Sequence, residues 1–300
     1  MTEGVPLCRH TPAIGFHPMR IMSLLPYALT VLLLVMPAEV SHSNDLTVRP
    51  GPHDSFQPHS ASSKQARDAP MILIPAGEFA MGDDRGQDDE QPVHRVTVNA
   101  FYLDAYEVTV SHYAEFLHAQ KPDPPFKWHE ANLNTHARKP VIGMSWFDAR
   151  DYCRWVGKRL PTEAEWEFAA RGTEGRTYPW GHAHPTKGHT TAGQTAWRGY
   201  DTVSNVGQLE LGRTPNGIYD LAGNLWEWVA DWYDSIYYQF SPRDNPTGPK
   251  AGPLRSLRGG AWNNDAKAIR SANRAGYAPD TKRNDVGFRC ARDAQPSGTR

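Results

Sequence analysis

From Gly172 to its end the chain shows little hydrophobic periodicity, and this constrains the fold more than any other feature. Long stretches combine Trp, Gly, Asn and Pro without the three-and-four spacing of an amphipathic helix or the alternation of a half-buried strand. So long an irregular run counts against a single folded domain unless its loops are functional or tied by a metal. Composition narrows the choice. Gly and Pro number 25 each in 300 residues, which favours many turns and argues against a helical bundle. Hydrophobic residues at 39% and charged residues at 22% fit a folded chain. The formal net charge of −1 lacks the basic excess that a nucleic-acid backbone demands, so no nucleic-acid partner is expected.

Regular structure is legible before Gly172. MILIPAGEFAMG (71–82) reads as a short apolar strand, a Pro-Ala-Gly turn and a second strand from Glu78 to Met81. HRVTVNAFYLDAYEVT (94–109) alternates apolar and polar residues and reads as strands. Ser111 can cap a helix through Ala119, with Tyr113, Phe116 and Leu117 on one face. Ser145 can cap a second, in which Trp146, Ala149, Tyr152, Cys153 and Val156 are spaced three and four apart and Gly157 ends the run. Thr162 with Glu165 forms a capping box that opens a third helix ending at Gly172. The acidic stretch Asp83, Asp84, Asp88, Asp89 and Glu90 reads as a solvated turn.

The N-terminal region reads as an export segment. Met19-Arg20 precedes sixteen uncharged residues, Ile21 to Met36, short for a membrane span and suited to the apolar region of a signal peptide. The expected signal peptide covers 1–43, with cleavage after Ser43 and Met19 as an alternative translation start; an uncleaved anchor is the alternative and the only route to a membrane. Residues 44–69 read as a flexible linker and 294–300 as a disordered tail. Export means a periplasmic or extracellular, oxidising location. Loss of Cys8 with the leader leaves Cys153 and Cys290.

Eight stretches, in order, resemble the formylglycine-generating enzyme family, also called the sulfatase-modifying factor family. They are MILIPAGEFAMG (71–82), DEQPVHRVTV (89–98), YEVTVSHYAEF (106–116), PVIGMSWFDARDYCRWVGKRLPTEAEWEFAARG (140–172), YPWG (178–181), TPNGIYDLAGNLWEWVADWY (214–233), SLRGGAWNN (256–264) and VGFRCAR (286–292). The resemblance implies a single α+β domain over 70–293, low in regular structure and related to C-type lectins, which accounts for the irregular second half. It implies a bridge between Cys153 and Cys290, two free thiols being the alternative. It also implies a structural Ca²⁺, with Asp220 and Glu227 as side-chain ligands and Gly223 and Leu225 as carbonyl ligands. The residues themselves suit that reading, because two carboxylates and two carbonyls within eight residues offer the oxygens a hard cation takes. The alternative is that both carboxylates accept only backbone hydrogen bonds.

The departures fall where the family's chemistry would lie. Its aerobic enzymes oxidise a substrate cysteine with copper held by two cysteines after a Gly-Gly pair. Counting forward from Gly260 puts Asn264 and Ile269 at those positions, and counting back from Cys290 puts Ala261 and Ala266 there. Neither count yields the thiolate that soft Cu(I) requires, so copper is not expected. Ala261 also replaces the serine that usually follows Gly-Gly. His182, His184 and His189 form an H-x-H-x4-H run in a Gly/Pro-containing loop, more simply read as solvated. No G-x-S-x-G elbow and no H-x3-H-x-E iron motif occurs. The expected cleft holds Trp226, Trp262, Asn263, Asn264, Asp265, Asn273, Arg274 and Tyr277, an aromatic and amide-rich set suited to a peptide, glycan or protein ligand. Core roles for the Trp residues and a turn at Asn263-Asn264 are the alternatives. Three functions follow from the resemblance: a recognition or accessory module; a divergent oxidoreductase such as the siderophore-maturing branch, which also lacks the cysteine pair; and sulfatase cysteine oxidation, the least supported. No catalytic residue is assigned.

Overall fold

A computed structural model describes residues 69–294 of the chain. The signal segment, nearly all of the linker and the tail after Ala294 lie outside the described residues. Strands β1 (Met71–Ile74), β2 (Gly77–Met81), β3 (His94–Val98) and β4 (Phe101–Asp104) precede three helices. These are α1 (Val110–Gln120), α2 (Trp146–Trp155) and α3 (Glu163–Arg171). Strands β5 (Trp226–Trp232), β6 (Arg255–Arg258), β7 (Arg274–Tyr277), β8 (Val286–Gly287) and β9 (Ala291–Asp293) complete the mixed α+β fold. None of the described helices is long and apolar enough to cross a membrane.

Local chemistry explains the helix starts. Ser145 Oγ accepts the Asp148 N–H while Asp148 reaches back to the Ser145 N–H, and Thr162 and Glu165 repeat the exchange. The first helix differs from expectation. Its cap is Thr109, whose Oγ1 accepts the His112 N–H, so the helix begins at Val110 and Ser111 sits inside it. The acidic turn is only partly solvated. Asp84 and Asp88 are exposed, but Glu90 is fully buried because Arg270 clamps its carboxylate with two guanidinium nitrogens.

The sheets pair as β1-β4-β9, β2-β3 and β7-β6-β5-β8, all antiparallel except β5 with β8. Pairing β9 with β4 brings the last described strand into the sheet that opens with β1. The Cys153–Cys290 disulfide ties α2 to the residue immediately before β9. One apolar core gathers Tyr113, Tyr152, Trp228 and Phe288 between α1, α2 and the four-stranded sheet. A second gathers Phe79, Leu103, Trp166 and Val229 beneath α3. Between Arg171 and Trp226 the described chain holds only a 3-10 turn at Glu210–Gly212 and isolated bridges. The half that reads as irregular in the sequence is therefore loops only as far as Leu225; beyond it lie β5 to β9, strands of two to seven residues, too short to show a period, and four of them form the β7-β6-β5-β8 sheet.

Charge is built into the interior. Arg258 pairs with Glu163 and Glu167, and Arg274 pairs with Glu163 at 2.6 Å, all four side chains being buried. Burial raises the Glu163 carboxyl, but Arg274 and Arg258 outweigh it and hold it below its ordinary value. This network fixes α3 against β6 and β7.

Candidate functional site

The site is organised by the turn that leads into β5. Asp220, Gly223 and Asn224 all adopt left-handed backbone, at φ of 60°, 85° and 64°. Asp and Asn tolerate that region better than most side chains. Gly223 has no alternative, since an added Cβ would collide with Thr190 Oγ1. The turn presents carboxylates behind it and meets the loops of a surface depression in front.

Behind the turn, Glu227 is 1% exposed on β5. It accepts hydrogen bonds from Arg289 Nε and Nη2 at 2.8 and 2.7 Å and from Trp166 Nε1 at 2.8 Å. Asp220 Oδ2 accepts the Gly207 N–H at 2.7 Å. Glu107, 2% exposed, joins them from the segment after β4: its Oε2 accepts from Asn224 Nδ2, while its Oε1 is buried with no partner. Three carboxylates thus face one guanidinium. Burial, reinforced by Asp220 and Glu227, pushes the Glu107 carboxyl well above its ordinary value, and burial lifts Asp220 to about 6. An orphaned buried acceptor beside surplus negative charge fits a bound cation. No group of three or more His, Cys, Asp or Glu side chains arranged to hold a metal occurs among the described residues. A cation here would therefore draw on the Gly223 and Leu225 carbonyls as well as carboxylates, a donor set suited to a hard ion. Both Glu227 oxygens are already occupied, so the acceptor awaiting a partner belongs to Glu107. Sequence reading placed Glu107 only on a strand, although YEVT was among the motifs.

In front of the turn lies a depression of about 280 Å³, walled on one side by His184 to Gly193 and on the other by Asn264, Asp265, Ala266 and Ile269. The walls are stitched together by Gly193 N–H to the Asn264 carbonyl at 2.8 Å and Gln194 N–H to the Trp262 carbonyl at 2.9 Å. Asn264 Oδ1 accepts the Ala261 N–H, and Asp265 Oδ1 accepts the Lys267 and Ala268 N–H groups. Ala261 and Ile269 are fully buried. Under either count, the positions that could have carried thiolates hold small, amide or core side chains.

The expected cleft is sorted by this geometry. Asn264 and Asp265 line the depression, and exposed Asn263 lies on the same segment, bonded to Asp285. Trp226 and Trp262 are core residues, 6% and 5% exposed, with Trp262 Nε1 donating to the Asn284 carbonyl. Arg274 is not a cleft residue: it is 3% exposed because Glu163 and the Asp89 carbonyl hold its guanidinium over the Tyr238 ring. Asn273 is likewise interior, bridging Gln87 and the Ala268 carbonyl. Tyr277 is half-buried beneath Arg283, away from the depression. His182, His184 and His189 each bond a separate local partner, Thr177, the Pro185 carbonyl and Thr186.

The family description "Sulfatase-modifying factor enzyme 1-like domain" matches residues 57–294. The mouse protein named formylglycine-generating enzyme is 34% identical over 285 residues, covering 76% of each chain. The bovine protein named inactive C-alpha-formylglycine-generating enzyme 2 is 33% identical over 285 residues, covering 76% of this chain and 90% of that one. The solved structure of PvdO from Pseudomonas aeruginosa superposes with a TM-score of 0.64 at 29% identity, covering 75% of this chain and 94% of that one.

Proposed function

The chain belongs to the sulfatase-modifying factor family, and from that premise we propose that it is an exported recognition or accessory module that holds calcium and lacks the family's copper chemistry. One observation carries the reading. Ala261, Asn264, Ala266 and Ile269 occupy every position where a copper thiolate could stand, and both cysteines among the described residues are consumed by the Cys153–Cys290 bridge. Cu(I) is a soft ion that needs thiolate or thioether ligands. The existence of a relative named inactive, with similar coverage, supports the same reading.

Calcium would be held by the Asp220 and Glu227 side chains with the Gly223 and Leu225 carbonyls, and its chemistry there would be charge neutralisation. The surplus of carboxylates over guanidinium around Arg289 supports this. Export is supported by the uncharged run from Ile21 to Met36 and by the disulfide, which persists in oxidising compartments. The ligand, a peptide, glycan or protein segment, would sit in the depression over Asn264 and Asp265.

The test supplies the purified chain with copper and a cysteine-containing sulfatase-motif peptide. Oxygen uptake and peptide mass are then followed. The expected result is neither oxygen consumption nor a change at the peptide cysteine. Conversion of that cysteine with stoichiometric copper would overturn the proposal.

A further inference from the structure

Beside the segment that joins β4 to α1 lies a cavity of about 240 Å³. None of the calcium ligands proposed above and none of the depression's residues lines it. Its lining includes Asp104, Glu107, Thr109, Ser111, His112 and Arg138. Most of these groups are already engaged. Asp104 accepts from Lys158 Nζ at 2.6 Å and from the Cys290 N–H at 3.0 Å. The Thr109 and Ser111 hydroxyls bond each other at 3.0 Å. Burial, with Lys158 close by, pushes the His112 imidazole below its ordinary value, so it adds no charge to the lining at neutral pH. Two groups of opposite charge remain. Glu107 is 2% exposed, and its Oε1 has no partner. Arg138 is exposed and pairs with no carboxylate among the described residues; its guanidinium makes a long 3.4 Å contact to the Val206 carbonyl.

We propose that this cavity binds a small free amino acid, its α-ammonium donating to Glu107 Oε1 and its α-carboxylate held by Arg138. A buried carboxylate oxygen without a donor is costly, so the occupant should supply one. The other Glu107 oxygen is already met by Asn224 Nδ2. One free oxygen is too few for a hard metal ion, since calcium takes roughly six to eight. It does suit a single N–H donor, and that donor should carry positive charge. Glu107, Asp220 and Glu227 all act on the one Arg289 guanidinium, which leaves negative charge to offset. An ammonium meets both needs through a charge-assisted hydrogen bond. At the surface the requirement is reversed. Arg138 presents a planar fork of N–H groups that matches a carboxylate. With the carboxyl buried and the guanidinium exposed, the amino acid enters ammonium first. Size agrees with a short skeleton, because pockets for drug-sized ligands run to roughly 300–1,000 Å³. Val108 and Val206 add apolar lining for a small aliphatic side chain.

The test is isothermal calorimetry of the full chain with glycine, alanine and serine, beside ethylamine and propionate, which each carry one of alanine's two charges. Alanine is expected to bind at a single site. Ethylamine and propionate are each expected to bind about 10- to 100-fold more weakly, the weight of one charge-assisted hydrogen bond. Arg138→Ala and Glu107→Gln should each weaken alanine binding by a similar factor. Arg138 is exposed, so its variant keeps the test open even where Glu107→Gln fails to fold. No heat of binding from any of the three amino acids at millimolar concentration would overturn the proposal. So would ethylamine or propionate binding as tightly as alanine, or an alanine affinity unchanged in Arg138→Ala.

Discussion

The two sides of the 220–224 turn have been built to different rules. Behind it, buried charge is concentrated and specific: Glu227, Arg289 and Trp166 interlock, and Glu107 brings an acceptor that no protein group satisfies. In front, the segment from Ala261 to Ile269 is mostly small, amide and apolar residues, and its charged members Asp265 and Lys267 bond locally, Asp265 Oδ1 accepting the Lys267 N–H. The first arrangement tolerates almost no substitution, because a buried charge left without its partner is costly. The second can exchange side chains at its surface without disturbing the core. The difference teaches that, in this chain, the buried polar side of the turn ties β5 to α3 and Arg289, while the other side carries exposed side chains on which the core does not depend.

That contrast predicts a graded set of effects. The largest is expected for Arg289→Met, which strands Glu227 beside Glu107 and Asp220; urea unfolding should show a loss of about 3–5 kcal/mol. An equally small effect there as in front of the turn would break the comparison. Next comes Cys153→Ala with Cys290→Ala. The bridge spans 137 residues, and its removal should cost about 2–5 kcal/mol in thermal or denaturant unfolding. A third prediction concerns pH. Glu163 is held below its ordinary value despite burial, because Arg274 and Arg258 stabilise its charged form. Its contribution is therefore present above the unfolded carboxyl value, about 4.3, and is lost as pH falls through the lower folded value. Glu163→Gln should flatten that acid limb of the stability profile; an unchanged limb would show that the network contributes nothing there. The smallest effect is expected for Asn264→Ala, which removes one hydrogen bond to the Ala261 N–H and should cost about 0.5–1.5 kcal/mol.

Legibility in the sequence followed distance along the chain. The capping boxes at Ser145 and Thr162 were readable because donor and acceptor lie three residues apart. Asp220, Gly223, Leu225 and Glu227 lie close enough in sequence to be considered together, since one turn and the start of β5 carry them. Glu107 was missed because its partner Asn224 is 117 residues away, and nothing local distinguishes it from a solvent-facing strand residue. The same blindness hid the pairing of Glu163 with Arg274, which left Arg274 in the expected cleft when it belongs to the interior. Ser111 lost the cap to Thr109 through a shift of two residues, the kind of ambiguity that adjacent hydroxyl side chains create.

The central claim is that this chain keeps the cation side of the turn and has lost the copper side. It is tested most directly by metal analysis of the chain purified without chelators, beside an Asp220→Ala variant. The account predicts calcium at about one ion per chain, in keeping with a single hard-oxygen cluster, no copper, and calcium depleted in the variant. Copper at stoichiometric level, or calcium absent from the wild-type chain, would contradict it.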